Sequence, residues 1–160
     1  MAPPIERQRA PEGSSPVRVP EVLESGRVAV DPWWGKIQPI ELRPGLKTFG
    51  ELEVIEHIES GGALIDTRRP EYVEASGTLP GARAIHWREI GDRVDEIDPG
   101  RMTVLFCNGP QCTATPRAVE ILLDLGRDPA SLGFYRGGIR DWITLGFETV
   151  APEPYPRPGG

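Results

Sequence analysis

From residue 46 onward the apolar positions fall into short runs separated by stretches with helical spacing. Leu52, Ile55 and Ile58 recur on one side of a helix. Thr48 and Glu51 read as a capping box in front of it, with Thr48 at the N-cap and Glu51 at N3, and Gly61-Gly62 ends it. Ala63-Leu64-Ile65 reads as a short buried strand, and Arg83-Ala84-Ile85, after the turn Pro80-Gly81, as another. Met102-Thr103-Val104-Leu105-Phe106 is the strongest strand, apolar nearly throughout, as the centre of a parallel sheet requires. Thr115 and Pro116 fit the N-cap and N1 of the next helix; Val119, Ile121, Leu122 and Leu125 supply its buried face, and Gly126 closes it. Gly133-Phe134-Tyr135 is a last strand, and Ile139, Trp142 and Leu145 lie on one face of a closing helix. Strands alternating with helices predict an α/β domain built on a parallel sheet.

Outside this region the pattern fails. Residues 1–20 hold five prolines with Gly13-Ser14-Ser15, and the C-terminus from Pro152 reads the same way; such stretches bury too little to order themselves. Asp31-Pro32-Trp33-Trp34-Gly35 sets two tryptophans in a polar extension and reads as a segment that docks, most simply on its own chain. The expected organisation is a disordered tail over 1–26, a docking extension over 27–45, a domain over 46–150 and a disordered tail over 151–160.

Charge narrows the function. The chain of 160 residues has 24 acidic and 18 basic residues and a net charge of −6, so it lacks the basic footprint of a nucleic-acid or anionic-membrane partner. No apolar run reaches spanning length and no apolar segment follows the N-terminus, which makes the cytoplasm the expected setting. Cys107 and Cys112 are the only cysteines, too few with two histidines for a closed zinc site; no metal and no cofactor are expected.

The chemistry concentrates where the best strand meets a helix. Cys107 ends the strand, and Asn108, Gly109, Pro110, Gln111, Cys112 and Thr113 lead to the helix. Ligands in open α/β sheets sit beyond the carboxyl ends of strands, and a helix N-terminus offers amide N–H groups and a positive dipole end. A thiol there loses its proton more easily, and the amides of residues 108 to 113 suit a thiolate, a persulfide or an oxyanion. A buried, inert cysteine is the plainer alternative.

Four segments resemble the signatures of rhodanese-like sulfurtransferases. These are Leu64-Ile65-Asp66-Thr67-Arg68 with Glu71-Tyr72, the turn Gly77-Thr78-Leu79-Pro80-Gly81-Ala82, Leu105-Phe106-Cys107, and Tyr135-Arg136-Gly137-Gly138-Ile139-Arg140-Asp141-Trp142. They stand in the family's order across residues 46 to 147. The resemblance implies a five-stranded parallel sheet with helices on both faces. It implies sulfur transfer through a Cys107 persulfide, from a small sulfur-containing anion such as thiosulfate to a thiol, a protein thiol or cyanide. The chain departs from the family at Asn108, where an Arg often follows the cysteine, at Cys112, where Arg or Thr is common, and at Thr78, which replaces a His. Fewer arginines mean weaker recognition of a dianion.

Asp66, Arg68, His86, Arg117 and Arg136 are candidates for the rim of the site. Their plainer roles are an ion pair for Asp66 with Arg68, packing beside Trp87 for His86, and solvated charge for the other two. Cys112 resolves a persulfide, forms a redox pair with Cys107, fills the loop, or is itself the nucleophile, a role for which Cys107 is the better placed because it sits where the strand ends. Two other functions compete with sulfur transfer. A non-catalytic interaction or redox-sensing module would use the Cys107/Cys112 pair or the tails. A phosphatase would need Arg at the position that Thr113 holds.

Overall fold

The computed structural model describes residues 38–153 continuously, together with 7–9, 21–22, 24 and 28–30. In chain order the strands are β1 (Arg7–Arg9), β2 (Glu21–Val22), β3 (Val28–Val30), β4 (Lys47–Phe49), β5 (Ala63–Asp66), β6 (Arg83–Ala84), β7 (Thr103–Phe106) and β8 (Leu132–Tyr135). The helices are α1 (Glu51–Glu59), α2 (Pro70–Ser76), α3 (Ala114–Asp124) and α4 (Gly138–Thr144).

The main sheet has five strands in the order β4-β8-β7-β5-β6, all parallel. Alternation along the strands feeds two cores. Ile65, Leu105 and Phe134 face α3, where they pack with Ala118, Val119 and Leu122. Leu64, Val104, Phe106 and Tyr135 face the other way, against Val54 of α1 and Ile139 and Trp142 of α4. Helices therefore cover both faces, which is why β7 is buried at all four positions. Each fully buried side chain of this kind contributes roughly 1.5–3 kcal/mol. Among the described residues no helix is long and apolar enough to cross a membrane.

Local chemistry differs from the sequence expectation at several helix ends. The N-cap of α1 is Gly50, whose N–H donates to Glu53 Oε1 at 3.2 Å. Thr48 instead lies in β4 and its hydroxyl donates to the Ile40 carbonyl. Ile55 and Ile58 pack against the core as expected and Val54 joins them fully buried, while Leu52, in the first turn, is 81% exposed. The N-cap of α3 is Thr113, so Pro116 sits inside the first turn, where a missing N–H costs nothing. Leu125 and Leu145, expected in the core, are exposed just past their helices. Helix α2 is too short for periodicity to reveal; Pro70 opens it at N1 or N2.

The stretches read as disordered also hold order. β3 pairs with β1 and β2 in a small sheet, through elements of two or three residues that leave no pattern in the sequence. Thr78 and Val150 form an antiparallel bridge, and the Glu153 N–H donates to the Ala82 carbonyl at 2.8 Å, so residues 151–153 are docked. Trp33, Trp34 and residues 154–160 lie outside the described residues.

Candidate active site

The register of the sheet assembles the site. Asp66, Phe106 and Tyr135 are paired neighbours on β5, β7 and β8. The next residues, Thr67, Cys107 and Arg136, leave the sheet together at its carboxyl edge. Cys107 is central among them and only 1% exposed. The loop from 107 to 113 then turns back, closed by the Cys112 N–H to the Gly109 carbonyl at 3.0 Å, and enters α3.

Helix α4 holds the start of this loop. The Ile139 N–H donates to the Cys107 carbonyl at 2.9 Å and the Arg140 N–H to the Asn108 carbonyl at 3.0 Å. Two orphan donors of the helix end are thereby satisfied. The approach requires Gly138: its φ is +64°, and a Cβ there would lie 2.4 Å from the Cys107 carbonyl oxygen. Only glycine accommodates both conditions.

The two thiols are free, buried and adjacent. The Cys107 thiol points at the Cys112 carbonyl oxygen at 3.9 Å, and Asn108 Nδ2 donates to Cys112 Sγ at 3.8 Å. Asn108 Oδ1 is buried without a hydrogen-bond partner. Burial pushes the Cys107 thiol well above its ordinary range, with Cys112 adding to the rise and the hydroxyl and amide of Thr115 opposing it. A hydrogen bond from the Cys107 thiol lowers Cys112; burial opposes this, and the amides of Ala114 and Asn108 and the charge of Arg68 assist it, bringing that thiol to about 7. The thiolate is thus favoured on Cys112, where the sequence pointed to Cys107, chiefly because Cys107 donates to it, with the Ala114 amide at the start of α3 assisting; the Thr115 amide acts in the same sense on Cys107, where burial outweighs it.

The expected rim divides. Asp66 and Arg68 are in the interior, not at the rim, with side chains fully buried. Arg68 forks onto Asp66 at 3.0 and 2.7 Å and donates to Ser76 Oγ at 2.8 Å and the Gly77 carbonyl at 2.7 Å. Thr78, which stands where the resembled turn has a His, donates to Asp66 Oδ2 at 2.7 Å. Arg136 turns away from the sulfurs: its guanidinium donates twice to the Gln38 carbonyl, at 3.0 and 2.8 Å. Arg117 lies over the Trp87 ring at 4.9 Å and lines a cleft of about 230 Å³ with Gln38, Pro39, Arg43 and Thr113. His86 tilts against Trp87, its ring centroid 5.8 Å away, and its Nε2 is buried without a hydrogen-bond partner. Burial lowers its pKa.

Three contributors were not read from the sequence. Thr67 and Thr115 pair their hydroxyls at 2.9 Å beneath the loop, and Thr67 also donates to the Phe106 carbonyl at 3.0 Å. Gln38 clasps the loop from outside: its N–H donates to the Pro110 carbonyl at 2.7 Å while its carbonyl receives Arg136. Thr67 was accessible from its place between Asp66 and Arg68, one step past the strand. Nothing in the sequence around Gln38 marks it.

Comparisons with known proteins agree with this geometry. A model of the Rhodanese-like domain family matches residues 52–145. An HTH-type transcriptional regulator of Mycobacterium tuberculosis is 32% identical over 94 residues, which is 59% of this chain and 40% of that protein. The chain therefore spans well under half the length of that relative. A rhodanese-related protein from Thermoplasma volcanium superposes with a TM-score of 0.53 at 17% identity, covering 65% of this chain and 97% of that one. A protein from Bacillus halodurans superposes with a TM-score of 0.58 at 20% identity, covering 66% of this chain and 77% of that one.

Proposed function

The chain belongs to the rhodanese-like domain family, and from that premise we propose that residues 46–150 form a sulfurtransferase, or a persulfide carrier, working through Cys107. One observation carries the reading: Cys107 ends the central strand with its sulfur against a second thiol, beside the amides that open α3. The second thiol solves the problem that burial creates. As Cys107 attacks a donor, its proton passes to Cys112, a base matched to neutral pH.

The steps balance. The Cys107 thiolate bonds to the outer sulfur of the donor, the donor's S–S bond breaks, and its electron pair leaves with sulfite when the donor is thiosulfate. An acceptor thiolate or cyanide then attacks the outer sulfur of the persulfide, and the electron pair returns to Cys107. Thr115 and the loop amides hold the negative charge at each stage.

The site favours a donor of low charge. Arg68 is consumed by Asp66, Ser76 and Gly77, Arg136 by Gln38, and Arg117 lies on Trp87. A dianion would meet amide dipoles instead of a bidentate guanidinium. A persulfide or thiosulfonate is therefore the expected better donor, with thiosulfate slow. The proposed setting is a reducing one such as the cytoplasm, where both thiols persist.

The test is thiocyanate formation from cyanide, with thiosulfate and a low-molecular-weight persulfide as donors. The Cys107→Ser protein is expected to fall to background with both donors. Turnover equal to the parent would overturn the assignment.

A further inference from the structure

The thiol pair carries one inference more, which rests on the reading of Cys107 as the sulfur carrier. Cys107 and Cys112 stand on one tight loop, closed by the turn from Gly109, with the Cys107 thiol already directed at Cys112. Asn108 Nδ2 holds the Cys112 sulfur from the other side, while Oδ1 of the same amide is left as a buried acceptor without a hydrogen-bond partner. A sulfur added to Cys107 brings with it an S–H, and the next residue holds a buried, unused acceptor for it.

We propose that Cys112 is the resolving thiol of the Cys107 persulfide, and that the protein releases sulfane sulfur as hydrosulfide by closing a Cys107–Cys112 disulfide. The proton that Cys112 took in the first step moves to the outer sulfur and stays there, the S–H donating to Asn108 Oδ1. The Cys112 thiolate attacks the inner sulfur, Cys107 Sγ. The Cys107–Cys112 bond forms, the persulfide S–S bond breaks, and its electron pair leaves with the outer sulfur as HS⁻. Two thiols are oxidised to a disulfide and one sulfane sulfur is reduced. A low-molecular-weight dithiol restores the pair and becomes a disulfide itself.

Two physical features favour this step over transfer to an external acceptor. The attack is intramolecular, so the attacking sulfur is held beside its target. The attacking thiol ionises near neutral pH, where exchange is fastest for a given thiol.

The test uses donors that give up their outer sulfur without releasing sulfide: thiosulfate, and in parallel an alkanethiosulfonate anion. Reduced protein is treated without added thiol, then intact mass and free sulfide are measured. Wild type is expected to lose two hydrogens and release about one hydrosulfide per chain, the stoichiometry of a single exchange. Cys112→Ser, with Cys112→Ala as a second variant, is expected to gain one sulfur atom and release none, loading more slowly for want of the proton acceptor and therefore read after prolonged treatment at raised pH. Wild type that keeps the added sulfur without a disulfide would overturn the resolving role and leave Cys107 as carrier. Wild type that neither gains sulfur nor forms the disulfide, or a folded Cys107→Ser protein that takes up sulfur as the parent does, would bring down the carrier reading itself.

Discussion

At the carboxyl ends of the neighbouring strands β5 and β7 the chain buries two polar clusters of opposite character. Beyond β5, the Asp66 carboxylate receives Arg68 through both its oxygens, the Arg68 backbone N–H and the Thr78 hydroxyl, and Arg68 finds Ser76 and Gly77 with what remains. Beyond β7, Cys107, Asn108 and Cys112 touch through long sulfur contacts of 3.8 and 3.9 Å, and Asn108 Oδ1 has no partner. A cluster with every donor and acceptor matched is a fastening, because any change leaves a group unpaired. A cluster with weak contacts and an unused acceptor gives up little when a reacting atom displaces those contacts. Under the proposed function, the same strand-end position serves stability on one strand and chemistry on the next.

This contrast can be broken most forcefully at Asp66. Asp66→Ala leaves the Arg68 guanidinium buried without its carboxylate and is expected to destabilise the fold by about 3–5 kcal/mol, read from urea unfolding. A loss below about 1 kcal/mol would show that the cluster is not a fastening. The next largest effect is expected where α4 touches the reactive loop. Gly138→Ala forces a Cβ against the Cys107 carbonyl at a positive φ, and is expected to cost about 1–3 kcal/mol and to slow sulfur transfer through displacement of Cys107. Unfolding and turnover measured on one sample separate the two consequences.

The smallest expected effect sharpens the contrast by pH alone. The Cys112 thiol is protonated below its pKa of about 7 and ionised above it. Its alkylation rate by iodoacetamide should rise about tenfold between roughly pH 6 and 8 and then level off, since rate follows the thiolate fraction. Cys107, pushed up by burial, should remain the slower thiol across that range. A rate that climbs steadily past about pH 9 would place both thiols in the ordinary range.

Much of this molecule is written in its sequence, for reasons that follow burial. β7 was legible because a strand covered on both faces is apolar at successive positions, and Cys107 followed as the residue that ends it. The start of α1 was not legible. Thr48 and Glu51 imitate a cap, but the Thr48 hydroxyl serves the Ile40 carbonyl and Gly50 opens the helix. The Cys107, Asn108 and Cys112 cluster was readable because a short loop keeps its members together whatever the fold does. The rim was not, because a long guanidinium finds partners far away in sequence: Arg136 reaches Gln38, and no local pattern announces that carbonyl.

The central claim is that Cys107 holds the transferred sulfur. It is tested most directly in folded, reduced Cys112→Ser protein treated to completion with an alkanethiosulfonate anion at raised pH, where Cys107 ionises without a proton acceptor at position 112, by trapping the adduct with an alkylating agent and locating the added sulfur by peptide mass mapping. The account predicts one additional sulfur atom on the peptide that contains Cys107, lost when Cys107→Ser is added. An unmodified Cys107 peptide under those conditions would contradict it.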